Sequence, residues 1–562
     1  MDKSNRSGPS RSGSLMAASR AGSMSGAEFN ALSFEDRLEA VRWAEAGLKY
    51  RLLLKAADTG DLVAALPAQD LFLMIKELGR EEVTEVLALA TGEQLTAFVD
   101  LDCWNQDQLD GREALLWLGL AMTEGEERVL QVARSLDFEL LVLVCKKHVH
   151  VLRGLEAYLD DETPRPRTGY YELAFKHQDY ARLVGALLEC LCRLDESFYV
   201  HLLEAVRSEQ DVTLEETVFQ QRRARLQDLG FADPAEARGV YAFLNPADFD
   251  PARFRRAGGP AVQEVAPCLA LTAVRPQGVL ARVLAQGIDD STAWDLTCLV
   301  NRVLAAEQAD IGQRDQLRAV LKRVYGLLNL ALEGLCGEDA ERAAELFAAT
   351  YLQPLFRYGL SRTLLLQRRA RALRRSAVGS YLEEPWAALV AALERALPNY
   401  SPALEEGDAV AERPIADGTE LARCDQALTV LEAVRRLFEE HWQFALPVPE
   451  DLDLAGCLPA AAAEMGLSHF FLTALANRLL GGEFAPRPLS PAALASLHRL
   501  VCDQGRLSVA VKEAVLSEIA TLESAAGPFA AWCLARWEED LCSLAPEHLD
   551  PRFVSGLLLR PD

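Results

Sequence analysis

The chain has 562 residues, too many for one ordinary hydrophobic core, since cores stop growing near roughly 250–300 residues and longer chains divide. Its 58 basic and 83 acidic side chains leave a formal charge of −25, which repels nucleic acid and anionic lipid on average, so either partner would need a local patch. Half of the residues are apolar, which excludes wholesale disorder and supplies a packed interior without help from disulfides or metals.

Residues 1–30 are rich in Ser and Gly, carry Lys3, Arg6, Arg11 and Arg20, and lack the continuous apolar run of a secretory signal. They predict a flexible tail; an organelle transit peptide shares the Arg and Ser but needs an apolar face that is missing here. From there on, apolar residues recur at helical spacing and sustained strand-like alternation is absent, so the fold class is all-α. Over 31–158 the pattern is one of short helices with tight punctuation. Asp61 opens one, Pro67 sits at a first turn, Gly79 follows a helix end, and Thr91 with Gln94 fits a capping box. Helices of about three turns cannot hide both faces alone, so they must stack on their neighbours, which predicts a superhelical array of several units.

Leu159–Thr168 is charged, holds two prolines and predicts a linker. A second unit over 170–245 contains a long helix through Leu226 stopped by Gly230, then Asp233-Pro234 as cap and first helical residue, and Asn245-Pro246 at the end of the next helix. Pro251, Gly258, Gly259, Pro260 and Pro267 make the following connection irregular. A third unit covers 268–397, the acidic Pro398–Thr419 segment predicts an exposed loop, and a last helical unit covers 420–559. No exact repeat period is visible.

No apolar run reaches the roughly 18–20 residues of a membrane helix; the Ala-rich stretch Pro459–Leu480 is broken by Glu464, His469 and Arg478, so membrane insertion is not expected. Twelve cysteines scattered from Cys103 to Cys542 read as reduced core thiols, and Cys190 and Cys192 diverge on a helix, which together point to the cytoplasm.

The common catalytic signatures are missing: no phosphate-binding glycine loop, dinucleotide fingerprint, nucleophile elbow or HExxH helix occurs, and none of the eight histidines follows Glu by three residues. Cys145 and His148 share a helical face and form half of a zinc site without a second half, while His150 points elsewhere; a helix end with basic residues near its dipole explains them as well. Asp100, Asp102, Asp107 and Asp110 crowd around Trp104, and four carboxylates in one loop suit a hard cation such as Mg²⁺, although caps and solvated charges account for such clusters too. The loop is no EF-hand, because Asn105 stands where Gly is required and Gly111 replaces the terminal Glu. Glu215 and Glu216 lie two turns before Arg222 and Arg223 and predict an ion-pair ladder.

Leu346–Leu382 carries seven arginines and no acid. At helical spacing Leu366, Ala370, Leu373 and Ala377 form one stripe, with Arg368, Arg371 and Arg375 opposite. That basic face suits phosphate or carboxylate partners. The flanking Glu338, Asp339, Glu341, Glu345, Glu383 and Glu384 are placed to neutralise it within the fold, and the lack of interleaved aromatic residues makes nucleic acid an improbable partner.

Several phrases carry a resemblance: Asp70-Leu-Phe-Leu-Met-Ile-Lys-Glu-Leu-Gly79, Asp100-Leu-Asp-Cys-Trp104, Arg225-Leu-Gln-Asp-Leu-Gly-Phe231, Leu328-Asn-Leu-Ala-Leu-Glu333 and Tyr351-Leu-Gln-Pro-Leu-Phe-Arg-Tyr-Gly359. Together they resemble an uncharacterised bacterial all-helical family, a domain of unknown function of about this length, which brings no activity with it. The first unit also resembles the cytosolic N-terminal domain of MgtE-type magnesium transporters, which implies a stack of short helices serving as a regulatory or docking element. The expectation is a helical scaffold or regulatory adaptor that binds another protein. The rivals are a metal- or nucleotide-responsive regulator and an enzyme whose site is assembled from distant residues.

Overall fold

Helix boundaries fall where short polar side chains and glycines can satisfy the backbone groups that a helix end leaves open. The computed structural model describes residues 14–123, 125–153, 171–256, 274–403, 411–442 and 444–561. Among them helices dominate, at 70% of the chain, and the strands come only as four short antiparallel pairs, so the fold is all-α. Two compact units result, Met1–Tyr358 and Gly359–Asp562. No helix among the described residues is long and apolar enough to cross a membrane.

In the first unit the helices Ala46–Lys55, Ala68–Leu78, Gly92–Asp102, Gly111–Ala121, Phe138–His148 and Asp211–Asp228 pack in series, each against the one before. Thr91 and Gln94 form the expected reciprocal capping box, Asp233 caps the turn that begins at Pro234, and Gly79 ends its helix at φ +99°. Gly230 stops the Asp211–Asp228 helix at φ +87°, with its Cα so close to Cys298 that a Cβ would come within 2.8 Å of the sulfur. Phe72, Phe98 and Trp117 meet at the centre of the series, with ring centroids 5.2 to 6.0 Å apart and no exposure to water.

Three expectations are corrected. Residues 14–30, read as part of a flexible tail, form the helices Ser14–Ser23 and Gly26–Asn30, because Ala18 and Ala21 are small enough to bury and Ser25 with Glu28 makes a second capping box; residues 1–13 lie outside the described residues. The Leu159–Thr168 linker, Cys268 and the prolines and glycines of 258–267 also lie outside them. Val149–Arg153 and Glu172–Phe175, which flank that linker, pair as strands, and the Pro398–Thr419 loop contains a pair between Asn399–Tyr400 and Arg413–Pro414, where Arg413 stacks on the buried Tyr400 ring at 4.9 Å. Finally, Cys502 and Cys542, read as thiols, form a disulfide with Cα atoms 5.2 Å apart: a hairpin folds one cysteine onto the end of a helix that carries the other, across 40 residues of sequence.

That hairpin has a counterpart. In the first unit Trp104–Asn105 pairs with Gln108–Leu109 between two helices, and in the second Cys502–Asp503 pairs with Arg506–Leu507 between the helices Pro491–Val501 and Val509–Leu522. Each turn holds a glutamine in the left-handed region, Gln106 at φ 58° and Gln504 at φ 50°. Each closes with one bond across its base, Asp110 N to Cys103 O and Ser508 N to Val501 O, both 2.7 Å, and each buries one leucine, Leu109 and Leu507. The shared letters reduce to Gln-x-x-Leu, too few to show as a repeat in the sequence.

The core of the second unit gathers Phe438, Phe470, Phe471, Phe529 and Trp537, all withdrawn from water. Beside them His469 accepts a hydrogen bond from the Gly466 amide on Nδ1 at 3.0 Å. Burial, with the charge of Arg536, lowers its pKa from 6.5 to about 4.

Two outcomes are expected. Phe98→Ala removes a ring from the packed centre of the first unit and should cost about 3–5 kcal/mol in urea unfolding. The depressed pKa of His469 means that its contribution is complete above pH 6.5 and is lost as the pH falls towards 4; the loss amounts to about 3 kcal/mol. Urea unfolding followed across that range should show the acid limb of the second unit flattened in His469→Gln, which accepts the same amide without titrating.

Candidate functional site

Three segments of the first unit converge on a cleft of about 740 Å³. The Gly92–Asp102 helix and its hairpin supply Asp100, Trp104 and Gln106; the Asp211–Asp228 helix supplies Phe219 and Arg222; the C-terminal end of the Asp290–Glu307 helix and the turn after it supply Ala305 and Gln308. The aromatic wall is built by Trp104 against Phe219, centroids 6.1 Å apart, with the Arg222 guanidinium 5.1 Å over the Trp104 ring. Arg222 is held there because its Nε donates to the backbone carbonyl of Asp100 at 2.9 Å. The Trp104 Nε1–H is buried and has no acceptor among the described residues.

Beneath this wall lies a charge fully withdrawn from water. Asp100 is 0% exposed and accepts Arg225 Nε at 2.6 Å and Nη2 at 3.1 Å, while Arg225 Nη1 donates to Asp137 at 2.9 Å. Among the described residues three non-glycine positions have positive φ, and two of them, Gln106 and Gln308 at φ 53°, line this cleft. Such conformations cost of order 1–3 kcal/mol each and concentrate at functional sites.

The four aspartates of the sequence reading have separate surroundings. Asp100 pairs with Arg225. Asp102 accepts Lys76 Nζ at 2.8 Å and Trp117 Nε1 at 2.9 Å. Asp110 caps the next helix by accepting from the amides of Arg112 and Glu113. Asp107 is exposed at the hairpin turn and lines the cleft with Asp100. No group of three or more His, Cys, Asp or Glu side chains among the described residues is placed to hold a metal ion.

Cys145 and His148 are both buried on the Phe138–His148 helix. Burial pushes the Cys145 thiol up to about 12, burial lowers the His148 pKa, and His148 Nε2 sits 2.8 Å from the Gly111 carbonyl. The ion-pair ladder does not form: Glu215 takes Lys147, Glu216 takes Gln220, Arg223 takes Asp233 at 2.8 Å and Arg222 turns to Asp100. Two helical turns separate the intended partners by about 10 Å, and nearer groups win.

Arg368, Arg371 and Arg375 are exposed, as the helical stripe predicts, and Leu366, Ala370 and Leu373 are buried behind them. Ala377 leaves the stripe, because the Leu352–Arg374 helix has ended and a 3₁₀ turn begins. The neighbouring Arg369 is neutralised by Asp425 and Glu432. Two of the flanking acids serve other partners, Glu338 with Arg282 and Glu383 with Arg536, and Asp339 caps a helix.

Sequence reasoning missed the cleft. Trp104, Phe219, Arg222 and Gln308 are separated by up to 204 positions (308 − 104), and nothing in one sequence says that they share a surface. The test of its foundation is Arg225→Ala, which strands the buried Asp100 charge and should cost about 3–5 kcal/mol in urea unfolding. Replacing both partners, Asp100→Leu with Arg225→Met, should recover most of that loss.

No curated protein and no solved structure matches this chain. The sequence pattern of a family of unknown function, DUF6178, matches residues 26–560, which is nearly the whole length and includes every wall of the cleft, and the chain therefore belongs to that family.

Proposed function

We propose that this protein is a non-catalytic helical adaptor, which receives an extended segment of another protein in the cleft beside Trp104. The observation that carries the reading is the make-up of that cleft. Its described lining holds no Ser, Thr, Cys, His, Lys or Tyr. Three of its four aspartates are engaged within the fold, Asp100 by Arg225, Asp233 by Arg223 and the Ala235 amide, and Asp310 by the Gly312 amide, which leaves Asp107 at the exposed turn. What it offers is an aromatic wall, an arginine already oriented over it, and the side-chain amides of Asn105, Gln106 and Gln308. An amide side chain both donates and accepts, as a peptide backbone requires of its partner. Aromatic and arginine anchors set beside adaptable polar groups are the pattern of protein recognition. The likeness read in the sequence of residues 31–158 to the cytosolic N-terminal domain of MgtE-type magnesium transporters, which implies a regulatory or docking element, points the same way.

A photo-crosslinking residue placed at Asn105 or Gln308 in the native cell tests it, with the same residue at Arg371 as the control. Adducts with one common protein from both cleft positions, absent at Arg371 and lost in Trp104→Ala, are expected. Adducts that form only at Arg371, or turnover of a metabolite by the pure protein that depends on cleft residues, would overturn the reading.

A further inference from the structure

A second cavity of the first unit, about 430 Å³, is lined by Asp295, Cys298 and Arg302 of the Asp290–Glu307 helix and by Tyr351, Gln353 and Arg357 at the start of the Leu352–Arg374 helix. Its charge does not balance. The one carboxylate in the lining, Asp295, is already taken: it accepts Arg256 Nη2 at 2.9 Å and the Leu352 amide at 2.8 Å, which makes it the cap of the longer helix. Neither Arg302 nor Arg357 makes an ion pair among the described residues, although acids outnumber bases 83 to 58 in the sequence. Elsewhere in this unit arginines of similar exposure find acids, Arg256 with Asp295 and Arg323 with Glu307.

The hydrogen bonds these two side chains make are to neutral groups, and Arg302 feels the field of Asp295 without pairing with it. Arg302 Nη1 donates to the Gln353 side-chain oxygen, and Arg357 Nε donates to the Ala242 carbonyl at 2.9 Å. Each fork is thereby fixed at one donor and keeps its others. Both stand on long helices of 18 and 23 residues, so their spacing is set by rigid elements. The opening turn of the longer helix adds a favourable field for negative charge. Guanidinium forks fixed in advance suit the planar or tetrahedral oxygens of carboxylate and phosphate. The volume is in the range of small-ligand pockets, roughly 300–1,000 Å³.

We infer that this cavity binds a small oxyanion, the phosphate or carboxylate group of a metabolite-sized molecule, between Arg302 and Arg357. The inference stands apart from the adaptor reading, since the two cavities share no lining residue. Isothermal titration of the full chain with inorganic phosphate and, separately, with citrate, at ionic strength held constant with sodium chloride, tests it. Saturable binding of either anion is expected, phosphate alone marking a phosphorylated ligand and citrate alone a polycarboxylate. Affinity should fall about tenfold or more in Arg302→Gln and in Arg357→Gln, recover in part in Arg302→Lys, and stay unchanged in Arg193→Gln, an exposed arginine already paired with Glu126. Circular dichroism and the urea midpoint confirm that each variant is folded. Absence of saturable binding up to about 10 mM of both anions, or equal affinity in the wild type and the Arg302→Gln/Arg357→Gln double variant, would overturn the inference.

Discussion

Asp100 stands in the last turn of its helix with no exposure to water, and its side chain and its backbone each draw in an arginine from the same face of another helix. A buried carboxylate is tolerable only when its charge is met and its lone pairs are filled. Arg225 meets the charge through two donors and passes its third to Asp137, which ties in the cap of the Phe138–His148 helix. Arg222, three residues earlier on the Asp211–Asp228 helix, reaches the Asp100 carbonyl and is thereby laid across Trp104. The arginine over the aromatic wall is thus held by the backbone of the same residue whose side chain carries the buried charge. Charge neutralisation comes first, and the surface above it inherits its geometry.

The same economy shapes the turns. Each of the two hairpins closes with one backbone bond and one buried leucine, and each tolerates a glutamine in a conformation that glycine or asparagine adopts more readily. Only one of them carries a tryptophan at the first strand position; in the other that place is Cys502, joined to Cys542. One local scaffold therefore presents a tryptophan of the cleft wall in one unit and a covalent tie in the other.

What the residues disclosed in advance was local. Helical spacing marked the fold class, and the boundaries at Thr91, Gly79, Gly230 and Asp233 were legible because a cap is a contact between residues two to four apart. The stripe of Leu366, Ala370 and Leu373 was legible for the same reason, and it failed at Ala377 only because the helix had already ended. Pairings across longer distances were not legible. Glu215 met Lys147, 68 residues away, in place of the arginine on its own face, and Cys502 met Cys542 across 40. The cleft depends on contacts of this second kind, including Arg225 with Asp100 at a separation of 125, and periodicity carries no information about them.

The Asp290–Glu307 helix contributes Asp295, Cys298 and Arg302 to the smaller cavity and, one turn further on, Leu304 and Ala305 to the larger. Between Cys298 and Arg302, Asn301 donates to the Leu229 carbonyl and accepts from Gln69. One stiff rod therefore walls both hollows, and the buried clamp at Asn301 fixes where it lies. A displacement of this one helix would move a wall of each chamber, although the two share no lining residue.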